Sequence, residues 1–189
     1  EPPQDGSVDG FQLLDDTYSG SAQEVAQNLG LSVIGMIYTD LSDDGSHTGK
    51  VLHRRSKDTF FVSSAEAIFM AQNQLVRPSP CKDSPSGKFS SKFITVIVTG
   101  NERNEIDFNA YQVSNTAEAM VSADIIEATT DPGLIMVKSS IPKQHYVPEV
   151  MYKLNDEYGN VVQRKAEPFF PVDFLLITLS HGFPVKPDP

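Results

Sequence analysis

Residues 31–40 read LSVIGMIYTD, a near-continuous run of apolar, β-branched and aromatic side chains. A run of this kind is typical of a strand that is covered on both faces of a sheet. The sequence therefore predicts a strand at the centre of the sheet, and the remaining elements are assigned outward from it.

On the N-terminal side, residues 1–20 are rich in Pro, Gly and Asp and are predicted to form a loop. Ser21 and Glu24 have the S-x-x-E spacing of a capping box, in which each side chain bonds the other residue's backbone amide. Gly30 supplies a helix stop. One short helix is predicted between these signals.

On the C-terminal side, residues 51–55 and 59–62 are predicted to pair as a hairpin that projects from the end of the strand. The spacing of apolar side chains over residues 64–76 predicts a second helix. Residues 92–99 and 105–113 flank a Gly-Asn turn and predict a further hairpin. An insert therefore separates the central strand from the second helix.

Residues beyond 115 predict a smaller β-rich or α+β unit. A weak helical run extends to residue 122, and short strands are predicted near Ile125 and over 134–137. A tight turn is predicted at Gly159, and residues 172–180 are predicted to close the unit as a buried strand. The chain as a whole is assigned to the α+β class.

Composition limits the classes of partner. The formal net charge of −10 repels the phosphate backbone, so no nucleic-acid partner is predicted. The cationic residues Lys50, Arg54, Arg55 and Lys57 are interpreted as a solvated face of the insert. Cys81 is the single cysteine, which indicates a reducing compartment such as cytosol or nucleus.

The apolar stretches do not predict a membrane span. The longest cover residues 93–98 and 174–179, far below the ~20 residues that a membrane helix needs. Glu1 opens the chain with neither a methionine nor a signal-like segment, so the numbering is expected to begin inside a longer polypeptide.

Two short motifs carry a family resemblance. Residues 35–41 (GMIYTDL) and 63–66 (SSAE) resemble the signature of the MPN, or JAMM, domain. In active members the strand ends in G-W-x-H-S-H-P and the next helix opens with S-x-x-D. Two His and one Asp of that signature hold a catalytic zinc with an open position for water, and an upstream Glu serves as base.

The residues at those positions here are different. Tyr38 and Asp40 stand in the two histidine positions, Met36 stands for the tryptophan, Ser63 is retained, and Glu66 replaces the aspartate. A phenol and two carboxylates make a poor zinc site, because zinc in proteins is held mainly by imidazole and thiolate. The sequence therefore predicts no metal, no cofactor and no catalysis at this site.

Residues near the degenerate site have structural interpretations that involve no chemistry. Ser63 and Glu66 are interpreted as a capping box that starts the second helix. His47 and His53 lie in the insert and are interpreted as solvated loop residues rather than substitute ligands. Cys81 has no neighbouring His or basic residue in an evident catalytic arrangement, so it is not assigned as a nucleophile.

The resemblance to one family is closer than that to MPN domains in general. Across nearly the whole chain the sequence is similar to the nuclear protein localization protein 4 family. The motifs that carry the similarity are EPPQ (1–4), GMIYTDL (35–41), KDTFFVSSAE (57–66), SKFIT (91–95), YQVSN (111–115), YVPEV (146–150), DEYGN (156–160) and FPVDFL (170–175).

That resemblance implies an organisation, partners and a location. It implies an N-terminally truncated MPN-like domain over residues 1–123, with a mixed sheet and flanking helices, and the start of a smaller β-rich C-terminal domain over 124–189. It implies a cofactor of the valosin-containing AAA ATPase hexamer that acts with the ubiquitin-fusion-degradation partner protein. The cofactor would bind ubiquitin and polyubiquitin chains in cytoplasm and nucleus, peripherally at the ER and nuclear envelope and without membrane insertion.

Three functions remain open on sequence alone. The first is a ubiquitin-chain-binding module, the second a purely architectural MPN scaffold, and the third a JAMM-type metallo-deubiquitinase, which the missing histidines disfavour. A groove for an extended ubiquitin segment is expected beside the strand end, with Asp40, His53, Phe60 and Phe61 as candidate contacts.

Overall fold

The computed structural model describes residues 3–7 and 10–180, and the chain divides into two compact units, Glu1–Ile34 and Gly35–Pro189. The helices are α1 (Ser19–Asn28), α2 (Ser64–Leu75) and α3 (Asn115–Ser122), with a 3-10 turn at Val172–Leu175. The strands are β1 (Gln4–Ser7), β2 (Gly10–Leu13), β3 (Gly35–Asp40), β4 (Pro78–Pro80), β5 (Lys88–Ser91), β6 (Ile94–Gly100), β7 (Ile106–Val113), β8 (Ile126–Ala128), β9 (Leu134–Val137), β10 (Met151–Asn155), β11 (Val161–Lys165), β12 (Phe169–Pro171) and β13 (Leu176–Leu179).

The first unit contains a hairpin and one helix. Strands β1 and β2 pair antiparallel, so the prediction of a loop over residues 1–20 is wrong for this part. Helix α1 confirms the predicted helix, but it begins after Tyr18, which provides no side-chain cap. The predicted capping box at Ser21 and Glu24 is therefore wrong, because Ser21 already lies inside the helix. Gly30 follows the helix with φ of 71°, as a stop requires.

A four-stranded mixed sheet organises the second unit in the order β13-β7-β6-β3. Strand β3 runs parallel to β6, with Tyr38 opposite Ile97, and the hairpin β6–β7 confirms the one predicted around the Gly-Asn turn. Among the described residues β3 is an edge strand, and the side chain of Ile37 is 59% exposed. The prediction that it lies at the centre is wrong, because a continuous apolar run does not distinguish a central strand from an edge strand.

The insert between β3 and α2 has no strand in the described chain, so the predicted hairpin of residues 51–55 and 59–62 is wrong. One isolated bridge joins Asp43 to Val51. The Thr59 hydroxyl accepts from the Ser56 amide at 3.0 Å and donates to the Arg54 carbonyl at 2.9 Å. This local turn takes up the Arg54 carbonyl, which a hairpin ladder would otherwise use.

The C-terminal half largely follows the predictions. Helix α3 and strands β8 and β9 lie where the sequence indicated, and β10 and β11 form a hairpin around Gly159, which has φ of 79°. The predicted final buried strand is partly wrong: Val172–Leu175 forms a 3-10 turn before β13 begins, and β13 is only half-buried or exposed and pairs with β7 of the four-stranded sheet.

One hydrophobic core is shared by α2, α3, the inner face of the sheet and strands that follow residue 124. Its members with at most 2% exposure are Val62, Ala67, Met70, Ala71, Ile97, Val113, Ala117, Ile135, Ala166, Phe170 and Val172. The α+β class and the mixed sheet are confirmed. No helix in the described part of the chain is long and apolar enough to cross a membrane.

Candidate functional site

The residues predicted to form a degenerate metal site lie where β3 ends and α2 begins, and a guanidinium occupies the space between them. Arg55 Nε donates to Asp40 Oδ2 at 2.7 Å. Its Nη2 donates to Glu66 Oε1 at 2.7 Å and its Nη1 to Glu66 Oε2 at 2.9 Å. The same Nη1 also donates to the Phe61 carbonyl at 2.9 Å. One side chain of the insert thus binds the end of β3 and the start of α2.

This cation is buried. The Arg55 side chain is 7% exposed, and those of Asp40 and Glu66 are 23% exposed. A buried charge is tolerated only when it is paired and its donors are satisfied, which the bidentate contact achieves. The assignment of Arg55 to a solvated face is therefore wrong, whereas Arg54, with a side chain 51% exposed and 3.7 Å from Asp40, does lie near the surface.

Glu66 has two roles at the helix start. Its carboxylate accepts from the Ser63 amide at 2.7 Å, and its own amide donates to Ser63 Oγ at 3.2 Å. The predicted capping box is present. Because Glu66 Oε2 also receives Arg55 Nη1, the same carboxylate caps α2 and neutralises the buried guanidinium. A glutamine could retain the cap but not the charge.

Tyr38 completes the cluster as a neutral phenol. Burial and the negative charge of Glu66 raise the pKa of Tyr38 far above its ordinary value. The side chain of Tyr38 is therefore a neutral phenol beside the charged Arg55 and Glu66 pair.

The charged state of the cluster is set by Arg55. Burial alone would raise the pKa of Glu66, but the hydrogen bonds and charge of Arg55 outweigh burial and lower it. Burial likewise opposes the charge of Arg55, and its bonds with Glu66 reverse that effect and raise the Arg55 pKa. Each partner therefore keeps the other ionised.

The lowered pKa of Glu66 predicts acid sensitivity. The stabilisation is complete above the unfolded-state pKa of about 4.3 and is lost as pH falls through the lower folded-state value. We expect the difference in unfolding free energy between the wild type and Glu66→Gln to be constant from neutral pH down to the unfolded-state pKa of about 4.3. Below that pH the difference should shrink. Urea denaturation at a series of pH values measures it, with the exposed Glu157→Gln as a control for net charge. A difference that stays unchanged in acid would contradict the assignment.

A polar cleft of about 390 Å³ opens beside this cluster. His53, Arg55 and Phe61 form one wall, and the β6–β7 hairpin forms the other, including Arg103 and Asp107. Both signs of charge line it, together with amide and aromatic groups.

Of the four predicted groove residues, two line the cleft and two contact Arg55. His53 and Phe61 line the cleft. Asp40 is engaged by Arg55, and Phe60 lies under the Arg55 guanidinium, whose carbon is 5.3 Å from the ring centroid. Phe61 also packs against the hydrophobic core. The four residues therefore surround one site but do not all face its open side.

The histidines of the insert do not approach the degenerate positions as a ligand set. The His47 side chain is 89% exposed and lies 3.7 Å from Asp43. His53 faces the cleft. Across residues 3–7 and 10–180, no group of three or more His, Cys, Asp and Glu side chains is arranged to hold a metal ion.

The sequence of the whole chain is similar to that of a known family. The model of the NPL4 family matches residues 1–189. The chain belongs to the NPL4 family.

Curated relatives in yeasts support the same assignment. The chain is 46% identical over its full length to nuclear protein localization protein 4 of Schizosaccharomyces pombe and covers 33% of that protein. It is 45% identical to the Debaryomyces hansenii protein of that name, again over the whole chain and 33% of the relative. The Saccharomyces cerevisiae protein is 45% identical over 97% of the chain and 32% of its own length. The chain thus spans about one third of each of these relatives.

Arg55 is the residue of this NPL4-family chain that sequence reasoning missed. Asp40 and Glu66 lie at the ends of neighbouring elements, and two buried carboxylates require a cation. This requirement could have indicated that a Lys or Arg turns inward. Arg55 is, however, one of four cationic residues in a polar insert. The sequence does not show which of the four turns inward.

Proposed function

We propose that this chain is the non-catalytic, ubiquitin-chain-binding part of a substrate-recruiting cofactor of the valosin-containing AAA ATPase. The observation that carries the non-catalytic part is the position of Arg55, which fills the space between Asp40 and Glu66 with a guanidinium. A cation fixed there by four hydrogen bonds competes with any metal for the same two carboxylates. A JAMM-type deubiquitinase is disfavoured for this reason.

The proposed binding surface is the cleft. An extended guest gains affinity from main-chain hydrogen bonds and specificity from side-chain pockets. The cleft has His53 and Arg103 as polar side chains that could bond the guest backbone, and Phe61 as an apolar contact. An unfolded ubiquitin segment would have free backbone groups to bond, whereas the strands of folded ubiquitin already pair with one another.

The remaining parts of the proposal follow the family. The chain would contain an MPN-like domain over residues 1–123 and the start of a C-terminal domain over 124–189. It would act with the ubiquitin-fusion-degradation partner in extracting and unfolding ubiquitinated proteins for proteasomal and ER-associated degradation. The location would be cytoplasm and nucleus, at the surface of the ER and nuclear envelope.

Metal analysis tests the non-catalytic claim. We expect the purified protein to contain far less than one zinc per chain and to leave ubiquitin chains uncleaved, because Arg55 occupies the carboxylates of Asp40 and Glu66. Stoichiometric zinc together with chelator-sensitive cleavage would overturn it.

Titration with ubiquitin chains tests the binding claim. We expect the protein that carries this chain to bind polyubiquitin, and Arg103→Glu to weaken binding more than Arg164→Glu. The two substitutions change charge equally, but Arg164 lies on the β10–β11 hairpin. Absence of any binding by the wild type would favour the second candidate function, an architectural MPN scaffold.

A further inference from the structure

We propose that Arg55 is the positioning residue of the cleft: its guanidinium holds residues 53–61 against the ends of β3 and α2, so that the wall formed by His53 and Phe61 exists before a partner binds. The inference deepens the proposed function, on which it rests, by naming the residue that keeps the binding wall in place.

The insert has few other attachments. Within residues 41–61, Val51 and Arg55 are the buried side chains. The first attachment point is Val51 and Leu52. The Val51 amide donates to the Asn104 carbonyl at 3.1 Å, and the Leu52 backbone lies directly over Gly100. These contacts fix the beginning of the insert to the β6–β7 hairpin.

Beyond Leu52, Phe61 packs on the hydrophobic core and the Thr59 carbonyl lies beside Gly133, but the link to the ends of β3 and α2 is made by Arg55. His53, which follows the first point directly, is exposed, and so are Arg54 and residues 57–59. The Thr59 hydroxyl closes the turn at 56–59 on the Ser56 amide and the Arg54 carbonyl, both within the insert. Arg55 is therefore the contact that joins this stretch to both β3 and α2.

The positioning role depends on the shape of the guanidinium as well as on its charge. Arg55 uses Nε for Asp40, both Nη atoms for Glu66, and Nη1 again for the Phe61 carbonyl. The planar fork fixes the direction of the side chain as well as its position. An ammonium at this position would provide the charge without that set of directions.

Limited proteolysis distinguishes a positioning role from a general loss of stability. The exposed Lys50 and Lys57 are tryptic sites on the two sides of the first attachment point. In Arg55→Gln we expect cleavage after Lys57, relative to cleavage after Lys50, to rise at least about tenfold, because local opening of 53–61 exposes only the second site. The cleavage sites are quantified by mass spectrometry under native conditions.

The control is a variant that is destabilised elsewhere. Val137→Ala removes a buried core side chain on β9, and global unfolding would raise cleavage at both lysines without changing their ratio. A ratio in Arg55→Gln that equals that of Val137→Ala would overturn the positioning role. This readout involves no ubiquitin, so its failure is distinct from a failure of the wild type to bind ubiquitin chains.

A binding measurement completes the test. We expect Arg55→Gln to weaken the binding of ubiquitin chains more than Val137→Ala does, at a temperature where both variants remain folded. Equal binding by the wild type and Arg55→Gln, with the proteolytic ratio raised, would show that the positioned wall is not the surface that the guest uses, and would overturn the inference.

Discussion

Arg55→Met is expected to lower the free energy of unfolding by about 3–5 kcal/mol, the usual cost of removing one partner from a buried ion pair. The variant removes the cation between Asp40 and Glu66, together with one hydrogen-bond donor to Asp40 and two to Glu66. Urea denaturation followed by circular dichroism measures the change. A loss below about 1 kcal/mol, the size typical of exposed pairs, would contradict the assignment.

Two further variants separate charge from packing. Arg54→Met alters the neighbouring, half-exposed arginine and is expected to cost about 1 kcal/mol or less. The triple variant Arg55→Met, Asp40→Asn, Glu66→Gln removes the charges together and should recover much of the stability that Arg55→Met loses, since the stranded carboxylates are gone. No recovery would show that lost packing, rather than unpaired charge, dominates the effect.

Gly100→Ala is expected to destabilise the protein by about 1–3 kcal/mol, the range found when atoms are forced into a packed interior. A Cβ on Gly100 would overlap the carbonyl oxygen of Leu52 and lie 2.8 Å from its carbonyl carbon. Both are backbone atoms, so the insert must move away from the β6–β7 hairpin. Gly20→Ala is the matched control, because a Cβ there meets nothing within 4 Å and Ala is favoured in a helix. Equal stability of the two variants would contradict the close approach.

The parts of the fold that can be predicted from sequence are those with local signals. Ser63 and Glu66 form the capping box because its bonds lie within one helical turn. The hairpin β6–β7 is recognisable because two apolar strands flank a Gly-Asn turn. In each case the residues that determine the element are neighbours along the chain.

The parts that sequence did not predict depend on contacts between distant residues. The edge position of β3 is set by which strands are available to pair with it, and its apolar run carries no such information. The inward direction of Arg55 depends on carboxylates 15 and 11 residues away. The hairpin predicted in the insert does not form, because the Thr59 side chain bonds the Arg54 carbonyl and closes a local turn. Threonine is common in strands, so strand propensity did not indicate this turn.

The resemblance to JAMM enzymes assigns Tyr38, Asp40 and Glu66 to the positions of zinc ligands. In this chain the carboxylates of Asp40 and Glu66 pair with the guanidinium of Arg55, which comes from the insert. The cluster stabilises the junction of β3 and α2 without a metal. The adjoining cleft is the surface that we assign to the guest.

Site-specific photocrosslinking shows whether the cleft is where ubiquitin binds. A crosslinking residue is placed at His53 or Arg103 in the cleft, or at Tyr158, 88% exposed on the β10–β11 hairpin, and ubiquitin chains are added with the ATPase engaged. We expect ubiquitin adducts from positions 53 and 103 and few from 158. Adducts from position 158 alone would contradict the assignment of the cleft.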